Sequence, residues 1–313
     1  MAEATYYEPG QSIRDYTPVA ALTAGQVIQI ADGRAAVPAN DIAAGALGSV
    51  QIEGIHTVAK TASVVILDGQ PVYWDHSANS ATYAKSNDRD FFLGTAVGDA
   101  ASADTTLKVN LNVEPVYLVD IARDPFDSAI VLTSGTPSLT RLGGAHKMAF
   151  STTAEAQKVD ILSKDGFAVA ANWIVEGEVE VVDNGDDAAL DFNIGVANDT
   201  HASSADTITE SCFLHIDGNA LDILAESDDG TTEVAATDTT VNYAEGTRFH
   251  FMMDGRDPSD VQIYINGVLM LSGTTFDISA ATGPLKLLAH LEKTSNDTPG
   301  EIHVDSLRAR IAE

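Results

Sequence analysis

The chain is poor in most of what an enzyme or a nucleic-acid binder is commonly built from. One residue in 313 is cysteine, Cys212, so no intrachain disulfide can form and synthesis in a reducing cytoplasm is expected. Lys and Arg number 17 against 46 Asp and Glu, a formal net charge of −29. A chain so short of cations cannot neutralise phosphates, which excludes nucleic acid as a partner. Long apolar runs are missing, and the longest fall well short of a membrane span. The opening MAEATYYEPGQ has neither a basic leader nor an apolar core, so no secretory signal is expected. Nucleophile-elbow, Walker and dinucleotide fingerprints are absent, and the eight histidines form neither H-E-x-x-H nor any close pair, which leaves catalysis without a familiar foothold.

Helix-period patterns are almost absent as well. What recurs instead is alternation of apolar and polar residues in short runs bounded by Gly, Asn, Asp and Ser, an all-β signature. In TTLKVNLN (105 to 112), Leu107, Val109 and Leu111 point one way and Lys108 and Asn110 the other. The charge is unevenly placed: residues 1 to 112 carry 6 basic and 12 acidic side chains, residues 146 to 313 carry 9 and 30. The second half therefore faces water over most of its surface and repels its own copies. Adaptation to a salty habitat would give the same excess.

The first 112 residues read as short strands: GQVIQIADGRAAV (25 to 37), LGSVQIEGIHTVAK (47 to 60), GQPVYWDHSANSATYA (69 to 84), FFLGTAVGDA (91 to 100) and TTLKVNLN. Such spacing predicts a small β-barrel or compact sandwich. Trp74-Asp75-His76 looks at first like an acid/base pair. Yet Val72 and Trp74 share one strand face, and Asp75, Ser77, Asn79 and Ser80 supply turn chemistry before Thr82 and Tyr83 return, so a hairpin is the expectation.

Gly69, Val72 to Asp75, Gly94 to Ala96 and Val109 to Leu111, a G-x-x-V-Y-W-D hairpin followed by G-x-A and V-x-L strands, resemble the cement, or decoration, proteins of tailed bacteriophage capsids. The resemblance covers roughly the first third of the chain. It implies a non-enzymatic virion protein, made in the host cytoplasm, that binds the major capsid protein on the outer surface of the head and clusters there as a homotrimer. It also gives the N-terminal segment 1 to 18 a role. That segment is stocked with Tyr6, Tyr7 and Tyr16 among Pro and Gly, and is expected as an extended arm that contacts the capsid through these tyrosines and Arg14. The cement domain proper is then 19 to 112.

Residues 113 to 145, with three prolines and a Gly-Gly pair, read as a connector. From 146 to 313 about ten longer strands predict a two-sheet antiparallel sandwich. The hairpin VQIYINGVLML reverses at Asn266-Gly267, a pair suited to the positive-φ turn that matches strand twist. With the closing IHVDSLRARI, this half resembles the jelly-roll sandwich of concanavalin A-like lectins, laminin G modules and β-glucanases. Glycans are the partner that resemblance implies, and an adhesin module on the virion is the rival to cement.

The sharpest catalytic candidate is EGEVEVVD, where Glu176, Glu178 and Glu180 share one strand face while Val175, Val179 and Val181 fill the core. Glucanases of this fold are similar in using alternate acidic residues on one strand. Here the middle position is Glu178 rather than aspartate, and aromatics are only 6% of the chain, too few for a sugar platform. A solvated strand face is the expectation, with no catalytic residue. Glu176, Glu178, Glu180, Asp191 and Asn193 form the candidate ligand face. Oxygen-rich loops at 183 to 187, 227 to 230 and 295 to 301 would suit calcium, but none has the spacing of a calcium loop, so neither metal nor cofactor is expected.

Overall fold

The structure is a computed structural model describing residues 3–6, 13–124, 126–132, 137–142 and 144–312, with backbone alone for 6, 127–132 and 142. The chain divides into two compact units, Met1–Val116 and Tyr117–Glu313. It is all-β, as the alternation requires, and its described residues contain one 3-10 turn, Ala205–Thr207, as their only helical element.

The first unit holds β1 (Ala4–Tyr6), β2 (Ile13–Tyr16), β3 (Ile28–Gln29), β4 (Ala35–Pro38), β5 (Gly48–Gln51), β6 (Ile55–Ala59), β7 (Pro71–Asp75), β8 (Ser80–Thr82), β9 (Phe91–Ala96) and β10 (Thr106–Leu111). They form a six-stranded sheet, β1-β6-β10-β9-β7-β8, and a four-stranded sheet, β2-β5-β4-β3. A parallel bridge between Lys60 and Ala81 ties β8 back to the end of β6, so five strands close on themselves. Barrel and sandwich are both present, because the four-stranded sheet packs on this ring. The apolar run of β4 shows how: Ala35 and Val37 enter the core with Trp74, Leu93 and Val109, while Ala36 joins Leu22, Ile30, Ile42 and Val50 on the other side.

The hairpin is as expected. Trp74 is fully buried, and Asp75 Oδ1 accepts from the amides of Ser77 at 2.8 Å and Ala78 at 2.9 Å and from the Ser77 hydroxyl at 2.7 Å. These bonds, that of the Ser77 hydroxyl foremost, hold the carboxyl below its usual range. Asn79 takes the left-handed φ of 51°. Gly94, the glycine of the G-x-A motif, has φ +154°, and a Cβ there would lie 2.1 Å from the Asn110 carbonyl oxygen, so no side chain fits.

The N-terminal segment differs from the extended arm read in the sequence. Ala4 is buried and donates its amide to the Gly25 carbonyl at 2.7 Å, and Glu3 accepts from the Val27 amide at 2.8 Å. β1 and β2 are edge strands of the two sheets. Backbone pairing to an open edge needs no apolar side-chain period, so a polar segment can take strand structure without advertising it.

The second unit holds β11 (Val119–Asp120), β12 (Phe126–Leu132), β13 (Ser138–Leu142), β14 (Ala145–Phe150), β15 (Glu155–Ser163), β16 (Trp173–Asp183), β17 (Leu190–Ala197), β18 (Ser211–Asp217), β19 (Asp222–Asp228), β20 (Glu233–Asn242), β21 (Arg248–Gly255), β22 (Gln262–Ile265), β23 (Val268–Met270), β24 (Lys286–Asn296) and β25 (Gly300–Ile311). One sheet runs β13-β14-β25-β16-β21-β22-β23 with β11 beside β25, the other β12-β15-β24-β17-β18-β19-β20. Successive strands cross between the sheets at β11/β12, β12/β13, β14/β15, β15/β16, β16/β17, β20/β21, β23/β24 and β24/β25, a jelly-roll path. The sheets close over Trp173, Val175, Phe192, Ile194, Phe251, Leu287 and Val304.

The stretch read as a connector supplies β11, β12 and β13; its Pro and Gly residues are turn chemistry between short strands, which composition does not distinguish from a linker. A smaller apolar cluster, Leu162, Ala197, Ala205, Ile208, Phe213 and Leu288, lies on the outward side of the second sheet, where the segment between β17 and β18 folds over it.

Candidate functional site

The residues expected on the capsid-binding arm are set on edge strands. Tyr6 ends β1, where its backbone pairs with His56; Tyr7 lies outside the described residues. Arg14 is exposed on β2 and forms an ion pair with Asp32, which Arg34 also holds at 2.8 Å. The Arg34 bond leads in pulling the Asp32 carboxyl down to about 2, against the opposing effect of burial. Tyr16 is half-buried against the cluster of Leu22, Ile42 and Val50. Ile13 of β2, and Val19 and Leu47 in the same unit, stand exposed. Ala4, Thr5, Ala24, Gly25, Val37 and Pro38 help to line a cleft of about 370 Å³ in this unit.

On β16 the three glutamates alternate outward as expected, but they do not form an open acidic face. Glu176 is fully buried. Its Oε2 accepts from Arg310 at 2.7 Å and its Oε1 from the Tyr117 hydroxyl at 2.6 Å, while Arg308 stands 3.6 Å away and also lies over the Tyr117 ring. Burial pushes the carboxyl up, but Arg310 and Arg308 outweigh it and hold Glu176 ionised, below its usual range. Burial pushes the Tyr117 hydroxyl well up, and the Glu176 charge adds to this. Glu178 and Glu180 share Arg248, at 4.0 and 3.4 Å; burial and then Asp305 raise the Glu178 carboxyl. A carboxylate buried under two guanidiniums is not free to attack a sugar, so Glu176 does not fit the nucleophile that glycoside cleavage needs.

Asp191 and Asn193 belong to β17, in the other sheet. Val175, Val179 and Val181 of β16 share one core with Phe192 and Ile194 of β17, so the residues alternating with them point away on opposite outer faces. The five residues read as one ligand face are thus two separate groups.

The second group leads to a cluster that sequence reasoning missed. Antiparallel pairing sets Asp191 opposite Asp217 and Asn193 opposite His215. Around the buried His215 ring stand Asp217 at 3.1 Å and Asp191 at 3.4 Å on the Nε2 side, and Asp206 at 3.4 Å and Glu226 at 3.5 Å on the Nδ1 side. Asn193, wholly buried, donates to Asp191 at 3.1 Å and reaches Asp206 at 3.4 Å. On β24, His290 donates to the His201 carbonyl at 3.2 Å and faces Glu292 at 3.5 Å. Beside them Lys158 pairs with Asp160 at 2.8 Å, and Thr200 donates to Asp160. Asp206, Thr200 and His201 all come from the segment between β17 and β18, which therefore roofs this part of the sheet.

The electrostatics follow from burial and crowding. Burial alone would lower the His215 ring, but Asp206, Glu226 and Asp191 raise it to about 12. Burial lifts Asp191 to about 7 against the pull of His215, and lifts Glu292 to about 8 with help from Asp191 and Asp206. Burial also lowers His290 to about 4. At an alternating polar strand position, His215 reads in the sequence as a solvated or hydrogen-bonded surface histidine. The signal that could have found the cluster was the shared outward phase of Asp191, Asn193, His215 and Asp217; the roofing segment had no signal at all.

Comparison with known proteins bears on the two units unequally. Residues 7–111, about a third of the chain, match the phage cement protein family. No curated protein matches the chain in sequence. Among solved structures the chain is similar to one from work on endo-acting O-glycanases of the human gut microbiota, at 12% identity and TM-score 0.47 over 63% of this chain and 100% of that one. It is similar to the Emp47p carbohydrate recognition domain at 10% identity and TM-score 0.45, covering 60% and 89% of the two chains. The carbohydrate binding module CBM66 from Bacillus subtilis is similar at 9% identity and TM-score 0.36, covering 58% and 95%. The match that speaks to family is that of residues 7–111 to phage cement proteins.

Proposed function

We propose that this is a non-enzymatic capsid cement protein of a tailed phage, whose first unit binds the assembled major capsid protein lattice and stabilises the head. The observation that carries the reading is the family match at 7–111, which falls within the unit Met1–Val116. Physically, a clip that binds only the expanded shell stabilises that state by mass action. The edge strands β1 and β2 offer backbone for strand addition, with Tyr6, Tyr7, Arg14 and Tyr16 and the exposed Ile13, Val19 and Leu47 as the contacts. Homotrimers at local three-fold axes are part of the same reading. The second unit, which carries most of the negative charge, stands on the outer surface and keeps particles apart.

The full chain mixed with expanded, undecorated heads should co-sediment with them and raise the temperature at which they rupture. Absence of both effects would sink the reading. A glycan array run with the same protein in calcium tests the rival adhesin; saturable binding there, with no attachment to heads, would replace cement by it.

A further inference from the structure

The geometry points to a divalent transition-metal site, best suited to zinc, formed by His215 Nδ1, Asp206 and Glu226 on the outward face of the second unit. It does not depend on the capsid reading.

Three observations carry it. The first is the ligand set. One oxygen each from Asp206 and Glu226 and the His215 ring nitrogen lie within 4.8 Å of one another, and the nitrogen stands 3.4 and 3.5 Å from the two oxygens. Ligands at ~2.1 Å from a tetrahedral ion are separated by about 3.4 Å, so the nitrogen already stands at ligand spacing from both oxygens. The second is the ring's orientation. His215 Nε2 donates to Asp217 at 3.1 Å, which directs Nδ1 at Asp206 and Glu226; a carboxylate holding the far nitrogen is the usual support of a metal-bound imidazole.

The third is a set of buried polar atoms with no hydrogen-bond partner among the described residues: His215 Nδ1, Glu226 Oε1 and Asn193 Oδ1. Asn193 is wholly buried, and its amide nitrogen lies against both Asp191 and Asp206. Orphaned buried atoms cost free energy. An ion bound at Nδ1 takes the place of the proton that Asp206 and Glu226 favour on the ring, and it draws in both carboxylates directly.

The imidazole decides the class of ion. Calcium and magnesium take oxygen ligands, whereas a nitrogen with two carboxylates suits zinc. Asp206 sits in the Ala205–Thr207 turn, while His215 and Glu226 are on β18 and β19. A bound ion therefore staples the roofing segment to the sheet.

The test is zinc titration of the EDTA-treated full chain, by calorimetry and thermal shift, with excess Mg²⁺ to occupy the acidic surface. Expected are one tight zinc per chain, zinc-dependent stabilisation of the second unit, and affinity reduced by about tenfold or more in Asp206→Asn and Glu226→Gln. Asp206 is half-exposed, so its variant should fold, and Glu178→Gln on the opposite face should bind as the parent does. No one-to-one site, affinity unchanged in both cluster variants, or calcium bound as tightly as zinc would each overturn the assignment.

Discussion

The two units bury β-sheets in a chain with few aromatics by different means. In the first, strands are two to six residues long and the fold is held by backbone: a ring closed by the Lys60–Ala81 bridge, edge strands added at the N-terminus, and Gly94 letting β9 and β10 approach. In the second, strands reach twelve residues, and buried charge is set into both outer faces, Glu176 with Arg310 on one and His215 with its carboxylates on the other. Backbone devices leave fixed residues at fixed spacings. Charge networks leave only a composition.

The largest break in the comparison comes from the two tryptophans. Trp74 and Trp173 are each fully buried, one per unit, and Trp74→Ala or Trp173→Ala should cost about 3–5 kcal/mol. Each loss should fall on its own unit's transition in a denaturant melt followed by calorimetry and hydrogen exchange. A single transition shifted equally by both would mean that the units unfold as one.

Next is Glu176→Ala, which removes the buried carboxylate that Arg310 and Tyr117 both donate to and should cost about 3 kcal/mol or more, read in the same melt. Loss below 1 kcal/mol, about the worth of a surface pair, would show that water reaches Arg310.

The pH dependence sharpens the contrast. His290 is fully buried and its ring is lowered to about 4, first by burial, against about 6.5 in the unfolded chain. The folded state refuses a proton that the unfolded state accepts. His290 therefore contributes in full above pH ~6.5, and that stability is lost as pH falls toward 4, by up to about 3 kcal/mol. The difference between parent and His290→Gln stability, measured from pH 7 to 4, should show this slope; a flat difference would refute it.

Gly94→Ala forces a Cβ onto the Asn110 carbonyl and should destabilise the first unit by about 2 kcal/mol. Gly195, with φ +156° and a Cβ position 2.2 Å from the Cys212 carbonyl oxygen, should respond alike in the second unit. Asp75→Ala, which removes the turn bonds of the exposed hairpin, should cost about 1 kcal/mol.

Particular residues show what could be read in the sequence. The alternation of Leu107, Val109 and Leu111 and the turn at Asn79 were legible because strand period and turn chemistry are local, and both hold. So was the outward phase of Glu176, Glu178 and Glu180 on β16. That Glu176 meets Arg310, 134 residues away, was not, since register between distant strands is fixed only by the assembled sheet. Asp191 and Asn193 could be placed on a strand face but not assigned to a sheet. β1 and β11 are three and two residues long, too short for a side-chain period to show.

The most direct test of the central claim is a reconstruction of phage heads decorated with the full chain, at a resolution that separates strands. The account predicts that the unit Met1–Val116 lies on the capsid lattice with β1 and β2 toward the major capsid protein, and that the acidic sandwich extends outward. Density for the sandwich against the shell with the first unit free, or no density on the head at all, would contradict it.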